Sequence, residues 1–161
     1  MKKRVLFVCL GNICRSPAAE AVFQKFVEDD NLVDRVTVDS AGISDWHKGE
    51  PAHKTMRKLA SLRGYDVSSI SRPFNPNTDY GRFDYIIGMD RENIYDLKSR
   101  ARTPENLSKI SAMAKYATRF SIEQVPDPYS GSDDVYEHVL DILEDACRGL
   151  LNVIKEESGW H

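Results

Sequence analysis

Residues 4–10, RVLFVCL, are apolar at six of seven positions. A strand with one wet face alternates apolar and polar side chains. This one does not, so both of its faces must be covered, as in a parallel sheet with helices above and below. Gly11 and Asn12 break the run. Ser16 and Pro17 then read as the N-cap and first residue of a helix. Its sequence, AAEAVFQKFVEDD, places Ala18, Ala21, Val22 and Phe26 on one face at helical spacing.

The same alternation continues along the chain. Residues 35–39 (RVTVD) read as a second strand, and SAGISDWHKGEP from Ser40 as a loop of turn formers. Residues 51–63 read as a helix stopped by Gly64, and residues 72–77, with Pro73 and Pro76, as irregular. Residues 83–89 (FDYIIGM) give a third strand, after which Asp90 caps a helix to about Arg100. Residues 109–113 read as a short fourth strand and PDPYSGS at 126–132 as a loop. From Asp133 to about Glu157 runs a long helix with Val135, Val139, Ile142, Leu143, Ala146, Leu150 and Ile154 as its apolar stripe. Strands alternating with helices imply an α/β fold, doubly wound around a parallel sheet with right-handed crossovers. No repeat or linker divides the 161 residues, a length that suits one domain, 1–161, with a real core.

Composition narrows the function classes. A net charge of -3 with dispersed cations gives no footprint for nucleic acid. The Lys2-Lys3-Arg4 run precedes only about seven apolar residues, too few for a signal-peptide core or a membrane span, so the cytoplasm is the expected address. Cys9, Cys14 and Cys147 are an odd number and, in a reducing compartment, free thiols. The four histidines show no paired spacing with them, so no metal site is expected.

In open α/β sheets ligands bind beyond the carboxyl ends of strands, and CLGNICRS, residues 9–16, lies at such an end. Its backbone N–H groups, with Gly11 and Asn12 able to take left-handed geometry, can curl around an anion. The helix N-terminus points its positive end at the same place, and Arg15 adds a permanent fork of donors. These features also favour thiolate at Cys9. A nucleophile facing a held phosphate is the layout for phosphoryl transfer through a phosphocysteine. The reaction also needs a proton for the leaving oxygen. Asp127, between Pro126 and Pro128, suits that role, with Asp39, Asp84 and Asp90 as competitors that read as strand-end and cap residues. A cysteine ending a buried strand is otherwise a small hydrophobe, and Asp-Pro otherwise a turn former.

The stretch VCLGNICRSPAAEAVF resembles the C-x5-R-S signature of the low-molecular-weight protein tyrosine phosphatases. VDSAGISDW at 38–46, FDYIIGMDREN at 83–93 and DPYSGS at 127–132 resemble that family in the same order, so the resemblance spans essentially the whole chain. It implies a three-layer sandwich on a four-stranded parallel sheet, with the phosphate-binding loop after strand 1. It further implies hydrolysis of phosphotyrosine, in a protein or a small aryl phosphate, with inorganic phosphate as product and no cofactor. By the resemblance Cys9 is the nucleophile, Arg15 the transition-state clamp, and Asp127 the acid and then the base. Leu10, Gly11, Asn12, Ile13, Cys14 and Ser16 form the loop. Asn12 holds its shape with Ser40 as partner, and Ser16 assists the leaving thiolate. Cys14 matches a second cysteine able to form a reversible disulfide with the nucleophile; the alternative for it is loop packing. Ile13, Trp46 and Tyr129 match the walls of an aryl-phosphate slot. Ser130 departs from the family, whose members often carry a second tyrosine there.

Four other readings compete. A phosphoarginine phosphatase of the same fold carries a small polar residue where Ile13 stands. Arsenate reductase needs shuttle cysteines, which residues 80–95 lack. A non-catalytic phosphate-binding module would bind phosphate without turnover. A phosphotransfer-system IIB-like fold also uses a phosphocysteine, but requires neither Arg15 nor Asp127 where they stand.

Overall fold

The computed structural model describes residues 2–160. Four strands, β1 (Lys3–Cys9), β2 (Val36–Gly42), β3 (Tyr85–Gly88) and β4 (Ile110–Ala112), form one parallel sheet in the order β2-β1-β3-β4. The order reverses direction at β1: the chain moves outward to β2 and then returns across β1 to β3. Such a reversal opens a crevice at the carboxyl ends of the central strands, where Cys9 ends β1.

Side chains of β1 alternate between two cores, as the period of two requires. Val5, Phe7 and Cys9 face helices α1 (Arg15–Asp29), α2 (Lys54–Leu62) and α6 (Asp133–Ser158). There Phe7 meets Phe23 edge-on at 5.6 Å. Leu6 and Val8 face the opposite layer, with Phe74, Tyr80, Phe83 and Leu97. That layer includes α3 (Asp79–Arg82) and α4 (Arg91–Arg100), with α5 (Pro104–Ser108) leading into β4. The result is the three-layer α/β sandwich that an apolar β1 demands.

Several local expectations are corrected. α1 starts at Arg15, with Cys14 at the N-cap and no side-chain cap, so Ser16 is not the capping residue. Its hydroxyl is engaged elsewhere, by Asn12 and Cys9. The buried face of α1 is Ala18, Ala19, Val22, Phe23 and Val27, while Ala21 and Phe26 lie at its margin. α1 is pressed between the sheet and α6, and the stripe turns toward both. β2 continues to Gly42 through residues that read as loop, because pairing with β1 extends to Cys9. α2 begins three residues after Pro51, capped by the His53 ring. β3 is Tyr85–Gly88, shorter than residues 83–89. α3 and α5 are single short turns with no periodic signal. Asp90 does cap α4, in a reciprocal box with Asn93.

α6 crosses the 3-10 turn Met113–Tyr116 at Gly149, where a Cβ would meet the Tyr116 carbonyl oxygen well inside contact distance. Alanine is the better helix former, yet here the backbone itself obstructs it. Gly149→Ala should lose about 1–3 kcal/mol in urea titration, against the gain that helix propensity alone would give.

Candidate active site

The loop after β1 is tied down through its carbonyl groups. Cys9 accepts from the Ile43 N–H at 2.9 Å and Leu10 from the Ser44 N–H at 2.9 Å. Gly11 accepts from the Ser71 hydroxyl at 3.0 Å, and Ile13 from the His53 N–H at 2.7 Å. With these oxygens drawn outward, the N–H groups of residues 10–14 have no protein acceptor among the described residues. They form an unsatisfied concave set at the N-terminus of α1, an anion cradle.

Asn12 gives the loop its curvature. Its φ of 56° is left-handed, a conformation asparagine tolerates better than most residues. Its side chain spans the loop. The Nδ2 group donates to Ser16 Oγ at 2.8 Å and to Ser40 Oγ at 3.0 Å, and Oδ1 accepts from the Arg72 N–H at 3.0 Å. Ser40 in turn donates to Glu20 Oε1 at 2.6 Å. The Arg72 N–H can only donate, which makes Oδ1 the acceptor of the Asn12 amide and Nδ2 the donor to both serines. Ser16 receives from Asn12 and has its own hydrogen left for Cys9 Sγ, 3.0 Å away. The Ala41 carbonyl, at 3.5 Å, is the longer alternative. Gly42 lets β2 approach this closely: a Cβ there would lie 3.1 Å from both Asn12 Cβ and the Leu10 oxygen.

Arg15 is buried, its side chain 3% exposed. Nη1 donates to Asp90 Oδ2 at 2.8 Å and to the Val125 carbonyl at 3.0 Å. Among the described residues Nη2 has only Asp127 Oδ2, at 3.8 Å. One arm of the fork is thus anchored and the other is available to a ligand. Asp127 accepts from the Tyr129 N–H at 3.1 Å through its other oxygen and is half exposed. The competing acids are occupied elsewhere. Asp39 pairs with Arg72, Asp84 with Arg4 beside the start of β1, and Asp90 with Arg15 and the α4 cap.

Cys9, Leu10, Gly11, Ile13, Cys14 and Arg15 share a cavity of about 250 Å³ with Trp46, His47, Asp127 and Tyr129. Trp46 and Tyr129 are 72% and 53% exposed, so they stand at its mouth. Asn12, Ser16 and Ser40 support the loop from behind. Burial, then the neighbouring Cys9, pushes the Cys14 thiol up to about 12, with the nearby Tyr136 hydroxyl acting in the opposite direction. Among the described residues no three His, Cys, Asp or Glu side chains converge as a metal site would need.

The candidate residues read from the sequence therefore converge on one crevice. Sequence reasoning does not single out Glu20, Arg72, Asp90 as a partner of Arg15, His47 or His53. His47 sits beside Trp46 in the chain, a signal that was present; a Cβ on Gly11 would reach within 2.9 Å of its ring. Arg72 and Asp90 reach the loop across separations of 60 and 75 residues, with no local pattern.

The pattern of the family described as low molecular weight phosphotyrosine protein phosphatase matches residues 4–159. The chain belongs to that family. A low molecular weight protein-tyrosine-phosphatase of Streptomyces coelicolor is 38% identical over 159 residues, covering 98% of this chain and 96% of the relative. The crystal structure of a protein tyrosine phosphatase from Entamoeba histolytica, with Hepes in its active site, superposes with a TM-score of 0.92 at 46% identity, covering 98% and 99% of the two chains. A Drosophila arginine phosphatase superposes with a TM-score of 0.87 at 33% identity, covering 96% and 98%. The protein is a phosphatase, a phosphoric monoester hydrolase.

Burial raises the Glu20 carboxyl above the usual carboxylate range, and the Ser40 hydroxyl only partly offsets this. A raised folded-state value means that the contribution of Glu20 to stability is present below its unfolded value. It is lost as pH rises through the folded one. Glu20→Gln, which stays neutral and can still accept from Ser40, should therefore gain stability relative to wild type between about pH 4 and pH 8. Urea midpoints at the two pH values check this; a difference independent of pH would contradict it.

Proposed function

We propose that this chain, as one phosphatase domain, hydrolyses phosphotyrosine in proteins, and small aryl phosphates, through a phosphocysteine without a metal ion. The observation that carries this reading is the convergence in one small cavity of the Cys9 sulfur, a cradle of unpaired N–H groups, the free arm of Arg15 and the Asp127 carboxyl. In the first step Cys9 Sγ attacks phosphorus, the bond to the aryl oxygen breaks, and Asp127 gives that oxygen a proton. In the second, water attacks phosphorus and gives a proton to Asp127, the P–S bond breaks, and sulfur leaves as thiolate, accepting a hydrogen bond from the Ser16 hydroxyl. Arg15 Nη2 and the N–H groups of residues 10–14 hold the equatorial oxygens throughout. Asn12 and Ser40 keep the loop in shape. Inorganic phosphate is the product and a competitive occupant of the cradle.

The mouth supports an aryl substrate. Ile13, Trp46 and Tyr129 line the cavity with Cys9, walls that would seat a flat ring and leave the phosphate of the shorter phosphoserine remote from sulfur. Cys14, a buried thiol lining the same cavity, suits a reversible disulfide with Cys9 that would guard it from over-oxidation. A cytoplasmic location fits three free cysteines, and among the described residues no helix is long and apolar enough to cross a membrane. The second reading, a phosphoarginine phosphatase, is favoured by the likeness to the Drosophila enzyme and opposed by the bulk of Ile13 at the wall.

The test is phosphate release from phosphotyrosine, phosphoserine and phosphoarginine peptides with EDTA throughout. Chelator-resistant release from phosphotyrosine should be abolished in Cys9→Ser and fall about 10²-fold or more in Asp127→Asn. Selective release from phosphoarginine would keep the mechanism and overturn the aryl reading. Phosphate binding without release from any peptide would leave only a binding module.

A further inference from the structure

A second concavity lies beyond His53, which touches the active-site mouth. His53 links the two: its N–H donates to Ile13 of the loop, and its ring packs edge-on against Tyr129 at 5.6 Å. The next residue, Lys54, opens α2 and lines a groove of about 830 Å³ with Pro51, Arg57, Lys58, Tyr65 and Asp66. Lys54, Arg57 and Lys58 are spaced i, i+3, i+4, so they share one face of the helix within about 6 Å of axial rise. All three are exposed, and none has an ionic partner among the described residues. Arg57 is oriented by its Nε, which donates to the Ala52 carbonyl at 2.9 Å, leaving its two terminal nitrogens for a ligand. Asp66 is the single anion lining the groove. A chain of net charge -3 repels acidic polypeptides as a whole, so attraction here is local.

We propose that this groove docks an acidic segment of the phosphoprotein substrate next to the phosphotyrosine, so that Lys54, Arg57 and Lys58 set sequence preference. This rests on the phosphotyrosine-protein reading above. An extended peptide advances about 3.3 Å per residue, so carboxylates a few residues from the phosphotyrosine would run from the mouth along α2. Exposed pairs of this kind are individually weak and salt-sensitive. Together they would give a roughly three- to tenfold preference.

The test compares wild type with the double variant Arg57→Glu/Lys58→Glu. Substrates are p-nitrophenyl phosphate and phosphotyrosine peptides of equal length with acidic residues before, after or on neither side of the tyrosine. Wild type should favour one acidic peptide in kcat/KM. The variant should lose that preference while retaining p-nitrophenyl phosphate hydrolysis, and 0.5 M salt should erase the preference in wild type, since the screening length falls to a few ångströms, roughly 4 Å. Anisotropy of labelled non-hydrolysable versions of the same peptides reads the groove whether or not phosphate is released. Failure of wild type to hydrolyse the phosphotyrosine peptides would therefore count against the phosphotyrosine reading, and failure to discriminate among them in binding against the groove. Equal treatment of acidic and neutral peptides by wild type, or a preference that survives charge reversal, would overturn the proposal. So would charge reversal that abolishes only binding to phosphatidylserine vesicles, which would assign the face to a membrane.

Discussion

One carboxamide organises this molecule's chemistry. Asn12 sits in left-handed backbone and bonds to Ser16, Ser40 and the Arg72 N–H. Left-handed geometry costs a non-glycine residue free energy and persists where the surroundings over-determine it. Here three hydrogen bonds and the contact with Gly42 do so. The same bonds make Ser16 Oγ an acceptor from Asn12, which leaves its own hydrogen for Cys9 Sγ or the more distant Ala41 carbonyl. Sheet order makes this possible: β2 lies beside β1, so Ser40 and Gly42 are brought against the loop that β1 launches.

The electrostatics follow from burial. A guanidinium as deeply enclosed as Arg15 needs a partner, and Asp90 supplies it while also capping α4. One carboxylate therefore ties the loop to the opposite layer of the fold. Only one arm of the fork is consumed. The other, facing Asp127 at 3.8 Å, keeps donors for phosphate oxygens without reorganisation. Asp127 stays near the cation but half exposed, close enough to be positioned and wet enough to exchange a proton with water.

Much of this was legible in the sequence, for reasons that can be named. β1 could be read because its two cores forbid alternation. The loop could be read because Cys, Gly-Asn, Arg and Ser-Pro lie within eight residues. Asp127 could be read because prolines fence it. Local rules failed where long-range bonds made the stronger demand. Ser16 has the sequence context of an N-cap, but its hydroxyl is held by Asn12 and Cys9. Asp90 has the context of a cap and is one, yet its bond to Arg15 leaves no mark within 75 residues of sequence. Glu20 looks like a solvated helix position, and only the packing of α1 against β2 brings it to Ser40. The buried face of α1 keeps Ala18 and Val22 but is rotated by part of a turn toward Ala19, Phe23 and Val27, because the helix packs on both the sheet and α6.

The account stands on Cys9 as the atom that receives phosphorus. The most direct measurement is mass spectrometry of Asp127→Ala quenched in acid during turnover of an aryl phosphate whose leaving group needs no proton. With the base for the second step removed, the phosphoenzyme should accumulate, and the peptide containing Cys9 should carry the mass of one phosphoryl group. That adduct should be absent when Cys9 is also replaced by serine. Turnover with no adduct on Cys9, or an adduct on any other residue, would contradict the account.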